Sequence, residues 1–407
     1  MNLLIVEYAS GGGYSNQKLS SSILSEGYAM LRSLIVDCKA AGHNVTALLD
    51  SRLKEFNPPN QADRIFSVTS PAEFSAKLTE QAKVADAVYV IAPESGQVLE
   101  NLVQDIENSG GTALSCSVEA IKRVSNKMKT NETLKKMELK VPETVLLDIH
   151  ETADVIEQLT KELGYPLVFK PLDGVSCGGL SIVKDVDAIA GAVKKLAYES
   201  TGKQFIAQKM IKGKTASVSV ISTGDKAVAI TLNGQFVTLG SPDEEAEYLG
   251  GVVPFEHSME KEALRAAEKA VEAAEGLKGY VGVDMILTDE GPVVMEINPR
   301  LTTSYVGLRR VAAFNPAETI IDAVIRKKLP KNVQHMGYSF FSKVAVPLRR
   351  QIFTETYRLE DVVSPPFPID DKKAYALIAV TSTSPEEAEA KFHRTKEGLL
   401  KLYSRGD

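Results

Sequence analysis

Gly282-Val-Asp-Met-Ile-Leu287 and Val293-Val-Met-Glu-Ile-Asn298, joined by Thr288-Asp-Glu-Gly-Pro292 and followed by Pro299-Arg300, decide how this chain reads. Both runs have the composition and length of strands. Asp289-Glu290-Gly291 reads as a three-residue hairpin loop, with glycine supplying the left-handed residue. A mirror through Glu290 then sets Asp284 opposite Glu296, and period-2 alternation puts Asn298 on the same face. Like charges directly opposed destabilise a ladder. A hard divalent cation between them removes that cost. Few protein carboxylates suffice for Mg²⁺ when phosphates supply its other oxygens. A solvated polar face would explain Asp284 and Glu296 alone; Asn298, Pro299 and Arg300 beside them favour a metal site.

Length and composition bound the rest. At 407 residues the chain can hold two or three domains with real cores. Its 44% hydrophobic and 25% charged content is that of a globular protein, and a net charge of −6 leaves no basic excess for general nucleic-acid binding. Cys38, Cys116 and Cys177 lie far apart, without the spacing of a zinc site or a disulfide framework. Cys177, in a glycine-rich loop, reads as a packing thiol rather than a nucleophile. The N-terminus enters a strand at once, and no apolar run approaches the ~20 residues that span a bilayer. A cytoplasmic protein without membrane contact is expected.

Up to about residue 120, strands and helices alternate. Leu3–Val6, Asn44–Leu49 and Ala87–Ala92 are strands, and Gly27–Ala40 and Pro71–Lys83 are helices. That alternation predicts a parallel sheet covered on both faces. Ser125–Met137 reads as one linking helix. Residues 121–330 then form an α+β region in two parts, the first about 140–215. Ser258 opens an amphipathic helix with Leu264, Ala267, Val271 and Ala274 on one stripe. Residues 331–407 form a small α+β unit closed by a helix with Ser384 as N-cap and Pro385 in its first position.

Two lysines are candidate phosphate partners. Lys170 ends the strand before Pro171 and the loop Asp173-Gly-Val-Ser-Cys-Gly-Gly179, whose backbone N–H groups can form a nest for phosphate oxygens. The loop is not a Walker A sequence, and by itself it is equally a hairpin turn. Lys170 and the downstream carboxylates shift the reading toward phosphate, with Gly174, Ser176, Gly178 and Gly179 as its ligands. Lys127 lies 43 residues earlier. Gln208-Lys209-Met210-Ile211 reads as a hinge able to meet a planar base, or as plain strand-to-turn packing. Ser10-Gly-Gly-Gly13 fits the dinucleotide fingerprint poorly, yet it follows the first strand, where substrates sit. Gly12, Gly13 and Glu26 are the substrate candidates. Glu26 would hold an ammonium group, or merely favour a helix N-terminus. Arg300 carries a donor fork suited to a carboxylate or phosphate.

Together these pieces resemble the ATP-grasp superfamily of carboxylate–amine ligases over roughly residues 1–325. The resemblance implies a pre-ATP domain followed by two α+β subdomains that clamp ATP. It implies Lys127 and Lys170 as phosphate lysines, Gln208–Ile211 as the adenine hinge and Thr215 near the ribose. Asp284, Glu296 and Asn298 would hold Mg²⁺ or Mn²⁺, and Arg300, with Lys170, would be catalytic. D-alanine–D-alanine ligases usually have Glu in place of Thr215 and Arg in place of Gly282, so the pattern departs from them. Ile5-Val-Glu-Tyr8, Gly11–Gly13, Ser25–Leu31 and Leu48–Ser51 resemble the archaeal tyramine–L-glutamate ligases. The expected activity is ATP-dependent joining of a carboxylate, such as that of glutamate, to an amine through an acyl phosphate, with small-molecule substrates as partners and a homodimer as the candidate assembly. A bicarbonate-type carboxylase and a non-catalytic ATP-binding protein are the alternatives.

Overall fold

The computed structural model describes residues 1–174, 178–200, 202–348, 350–369 and 373–404, with the side chains of 350–352 outside the description. Strands β1 (Asn2–Glu7), β2 (Asn44–Asp50), β3 (Arg64–Val68) and β4 (Ala87–Ile91) form a parallel sheet in the order β3-β2-β1-β4. Leu3 through Glu7 are all buried, as expected of a strand covered on both faces. Leu4 and Val6 pack toward the Pro71–Ala82 and Val98–Asn108 helices. Leu3 and Ile5 pack toward the helix Ser21–Ala40. Strand order reverses between β1 and β4, which opens a crevice at their carboxyl ends.

A second sheet, β5 (Thr144–Asp148), β6 (Leu167–Pro171), β7 (Ser181–Val183) and β8 (Gln204–Lys209), runs in the order β5-β8-β6-β7 and is antiparallel throughout. It has its own core, in which Phe169 and Phe205 meet at 5.1 Å between ring centres.

The third sheet holds β9 (Lys214–Gly224), β10 (Ala227–Thr238), β11 (Glu247–Val253), β12 (Leu277–Thr288), β13 (Gly291–Asn298), β14 (Tyr338–Val346), β15 (Val362–Ser364) and β16 (Ala374–Ser382). Its order is β13-β12-β9-β10-β11-β14-β16-β15, so the C-terminal strands continue the sheet that carries the proposed metal residues. Helix Pro385–Ser404 packs on them, capped by Ser384 as expected (Glu387 N to Ser384 Oγ, 3.2 Å). The core beneath Leu3 and Ile5 runs on into Ile221, Tyr280 and Phe341, so the parallel sheet and the large sheet share one apolar interior.

Two local readings need correction. The linking helix is two helices, Val118–Ser125 and Lys127–Lys136, broken at Asn126. Asn126 leaves helical geometry and its Oδ1 accepts from Lys129 N at 3.0 Å, capping the second helix. The hairpin turn is also shorter than expected. Thr288 pairs with Gly291, leaving Asp289 and Glu290 as a two-residue turn. A bulge at Met295 then adds back one residue, so Asp284 still pairs with Glu296. The two departures cancel.

Strand β14 docks where the backbone of β11 comes unusually close. Gly250 has φ +147°, and a Cβ there would lie 2.0 Å from the Phe341 carbonyl oxygen. Gly250→Ala is therefore expected to destabilise the fold by about 2–3 kcal/mol, through strain and a forced backbone shift. Urea denaturation measures this; a change under about 0.5 kcal/mol would mean the junction is not the rigid contact described.

Candidate active site

Two cavities meet at the β12–β13 hairpin, and Gln235, Val237, Asp284 and Glu296 line both. Asp284 Oδ2 accepts from Asn298 Nδ2 and Asp284 Oδ1 from Gln235 Nε2, each at 3.0 Å. Lys127 Nζ lies 3.4 Å from Glu296 Oε2 and donates to the Gly174 carbonyl at 2.5 Å. The break at Asn126 makes this possible, because it puts Lys127 in the first position of its helix.

The charge balance of this wall is uneven. Burial pushes the Asp284 carboxyl up to about 7, helped by the neighbouring Glu296. Burial also pushes Glu296 up, but Lys127 and Lys170 outweigh it and hold that carboxyl at about 2. One anion is thus balanced by lysines, and the other wants a proton or a cation. Among the described residues no cluster of three His, Cys, Asp or Glu side chains suits a metal. Two carboxylates and one carboxamide fit Mg²⁺ or Mn²⁺ only if a ligand such as a phosphate completes the shell, and the adjoining lysines suit that anion.

The cavity on the lysine side measures about 930 Å³ and is lined by Lys127, Lys170, Gly174, Gly178, Gln208–Ile211 and Thr215. Val168, Leu180, Met210, Ile211, Met285 and Met295 give it apolar walls. Gln208 is buried; its Nε2 donates to Thr144 Oγ1 at 2.9 Å and its Oε1 has no partner among the described residues. The backbone N–H groups of Lys209 and Met210 are engaged with the Glu143 and Pro166 carbonyls, so they are not open to a base. Thr215 Oγ1 donates to the Gln235 carbonyl at 2.8 Å. Gly179 donates its N–H to Glu199 Oε2 at 2.6 Å and does not line the cavity. Ser176 and Cys177 lie outside the described residues.

The second cavity, about 1,110 Å³, occupies the crevice between the ends of β1 and β4, where Glu7, Ala9, Ile91, Ala92 and Pro93 line it. Arg300, Asn298 and Thr302–Ser304 close it from the large sheet. Arg300 donates Nε to Glu94 Oε2 at 3.0 Å. Gly12 and Gly13 are not among its lining residues. Gly12 caps the short helix Tyr8–Gly11 in a left-handed conformation, and Gly13 packs against the Tyr8 ring. Glu26 does line the cavity, but in the second turn of Ser21–Ala40, so a role at a helix N-terminus is excluded. Its carboxylate accepts from Thr303 Oγ1 at 2.8 Å and pairs with Lys343 Nζ at 2.8 Å.

Five residues here escaped the sequence reading: Glu7, Glu94, Gln235, Thr303 and Lys343. Glu7 had a usable signal, an acid at the carboxyl end of the first strand. Its carboxylate accepts from Ser10 N (2.7 Å), Ser10 Oγ (2.6 Å) and Ala9 N (3.1 Å), while burial raises its pKa.

Residues 124–304 match the profile of the ATP-grasp domain, and residues 43–121 that of the pre ATP-grasp 3 domain. A tyramine–L-glutamate ligase of Methanocaldococcus fervens is 30% identical over 309 residues, 75% of this chain and 89% of the relative. The chain belongs to the ATP-grasp family. An uncharacterised protein of Methanocaldococcus jannaschii is 26% identical over 398 residues, 94% of this chain, so its likeness extends into the C-terminal strands. The biotin carboxylase of Campylobacter jejuni, solved with an ATP analogue, superposes with a TM-score of 0.74 over 100% of this chain and 95% of that one. At 16% identity it shares the ATP-grasp fold alone.

A carboxyl whose folded-state pKa exceeds its unfolded value stabilises the fold below the unfolded pKa, and that contribution fades as pH rises through the folded pKa. The nucleotide-free protein should thus lose Asp284's contribution between its ordinary 3.8 and about 7. Asp284→Asn is expected to raise Tm at pH 8 by about 1–3 °C, and by less at pH 5. A thermal melt in which this variant unfolds earlier than wild type at pH 8 would contradict the assignment.

Proposed function

We propose that the protein is an ATP-dependent ligase joining the carboxylate of an amino acid, glutamate foremost, to an amine through an acyl phosphate. One observation carries this reading: a single carboxylate wall separates a cleft with two lysines from a second cavity with an arginine. A phosphoryl group held on one side can reach a carboxylate on the other without leaving the protein. The relative from Methanocaldococcus fervens bears the names of an amine and an amino acid, which supports this substrate class. Tyr14, Ile23, Met30 and Ile91 give the cavity apolar surface for the body of such an amine.

In this reading the base lies between Met210 and Ile211 on one side and Met285 and Met295 on the other, with Gln208 Oε1 accepting from its amino group. Lys127 and Lys170 neutralise the transferring phosphoryl group. Asp284, Glu296 and Asn298 would hold Mg²⁺, which would supply charge neutralisation for the transferring phosphoryl group. A carboxylate oxygen of the amino acid attacks the γ-phosphorus and ADP leaves. The neutral amine then attacks the acyl carbon, inorganic phosphate leaves, and the amine gives up a proton. Arg300 balances the acyl phosphate and then the tetrahedral oxyanion. No helix among the described residues is long and apolar enough to cross a membrane.

The test is ADP release at fixed Mg·ATP across amino acids and amines, with bicarbonate included. Release that needs an organic acid and an amine together is expected; release with bicarbonate alone would overturn the ligase reading. With the active pair in hand, Glu296→Gln should lower kcat at least ~10²-fold, the order lost on removing one preorganised electrostatic group. A near-wild-type kcat at saturating Mg²⁺ would remove Glu296 from the site.

A further inference from the structure

Arg300 faces a competition that the reaction scheme leaves unresolved. Its side chain lines the same cavity as Asp284 and Glu296, and the hydrogen-bond donors to Asp284 among the described residues, Asn298 and Gln235, are both neutral. A buried guanidinium beside two carboxylates would settle on them as an ion pair, occupying the position a metal must take. Something has to hold it away.

The turn after β4 supplies that hold. Glu94, 6% exposed, accepts from Arg300 Nε at 3.0 Å through Oε2, while Arg300 Nη1 donates to the Leu301 carbonyl at 3.2 Å. Glu94 Oε1 is buried and has no partner among the described residues. An unpartnered buried carboxylate oxygen costs stability, so this contact is a poor candidate for a purely structural bond. The turn itself is an unusual one. Gly96 and Gln97 both have φ of +62°, and Gly96 N donates to Asp173 Oδ2 at 3.1 Å. Gln97 is not a glycine, so the conformation is costly to keep. The turn is thus fastened at one end to Arg300 in the substrate cavity and at the other to the residue preceding Gly174 in the nucleotide cleft.

We propose that Glu94 is a positioning residue: it holds Arg300 toward the substrate and keeps it off the Asp284–Glu296 pair. The proposal rests on the metal and nucleotide roles given above. Without Glu94, Arg300 collapses onto the two carboxylates and competes with Mg²⁺ there. The loss would appear in metal-dependent nucleotide binding, before any chemistry and without knowledge of the organic substrates. Removing Arg300 as well should restore the metal site, which no general loss of packing would do.

Calorimetric titration with ADP, with and without Mg²⁺, reads this directly in the wild type, Glu94→Ala, Arg300→Ala and the double variant. Glu94→Gln, which keeps the size and loses the charge, takes the place of Glu94→Ala if that protein does not fold. The gain in ADP affinity on adding Mg²⁺ should fall at least ~5-fold in Glu94→Ala, remain near wild type in Arg300→Ala, and return in the double variant. An undiminished gain in Glu94→Ala, or a double variant as weak as Glu94→Ala, overturns the positioning role. A wild type whose ADP affinity ignores Mg²⁺ overturns the ligase reading beneath it.

Discussion

The cross-strand contact between Asp284 and Glu296 is the constraint around which the molecule is arranged. Two acidic side chains on paired positions of a buried hairpin would ordinarily weaken the sheet. Here each is met from a different direction. Lys127 comes from a helix that begins one residue after a break, and Lys170 from the end of a strand in another sheet. Asn298 donates to Asp284 from the neighbouring strand β13, and Gln235 from β10, two strands away across β9. Three structural units thus converge on one carboxylate pair, and the two cavities exist because the pair stands between them.

The same geometry bears on metal binding, although the described residues hold no cluster of three His, Cys, Asp or Glu side chains. In the proposed reading two carboxylates and a carboxamide would form half a coordination shell, which a phosphate-bearing ligand would complete. The remaining field is divided. Lysines line one cavity and an arginine the other, where Glu7 and Glu26 are already engaged by Ser10 and by Thr303 and Lys343. Lys343, 5% exposed, comes from β14 and pairs with Glu26, so the C-terminal strands support a residue of the second cavity's wall as well as extending the sheet.

Much of this was legible because the decisive signals are local. The hairpin pairing survived even though the turn is two residues long, because the bulge at Met295 adds back the missing position. Lys170 and Gln208–Ile211 stood out where strands end, whereas Lys127 reads as lying inside one helix and owes its position to the break at Asn126. What stayed hidden depends on distant partners. Gln235 meets Asp284 only because β10 and β12 fold into one sheet, with Gly234 before it at a place where a Cβ would fall 2.9 Å from Val252 Cγ1. Glu26 reads as an acid in search of a cation, and its partner lies 317 residues further along the chain, beyond any spacing rule. The glycines at 12 and 13 suggest a ligand loop, yet they serve a helical turn and an aromatic contact.

Transfer across the carboxylate wall can be followed by oxygen isotopes. The carboxylate substrate labelled with ¹⁸O is incubated with Mg·ATP and its amine, and the released phosphate is analysed by mass. If the carboxylate attacks the γ-phosphorus from the second cavity, about one ¹⁸O atom per turnover appears in inorganic phosphate. ADP formation and amide product with unlabelled phosphate would mean that no acyl phosphate forms, and that the two cavities are not joined by phosphoryl transfer.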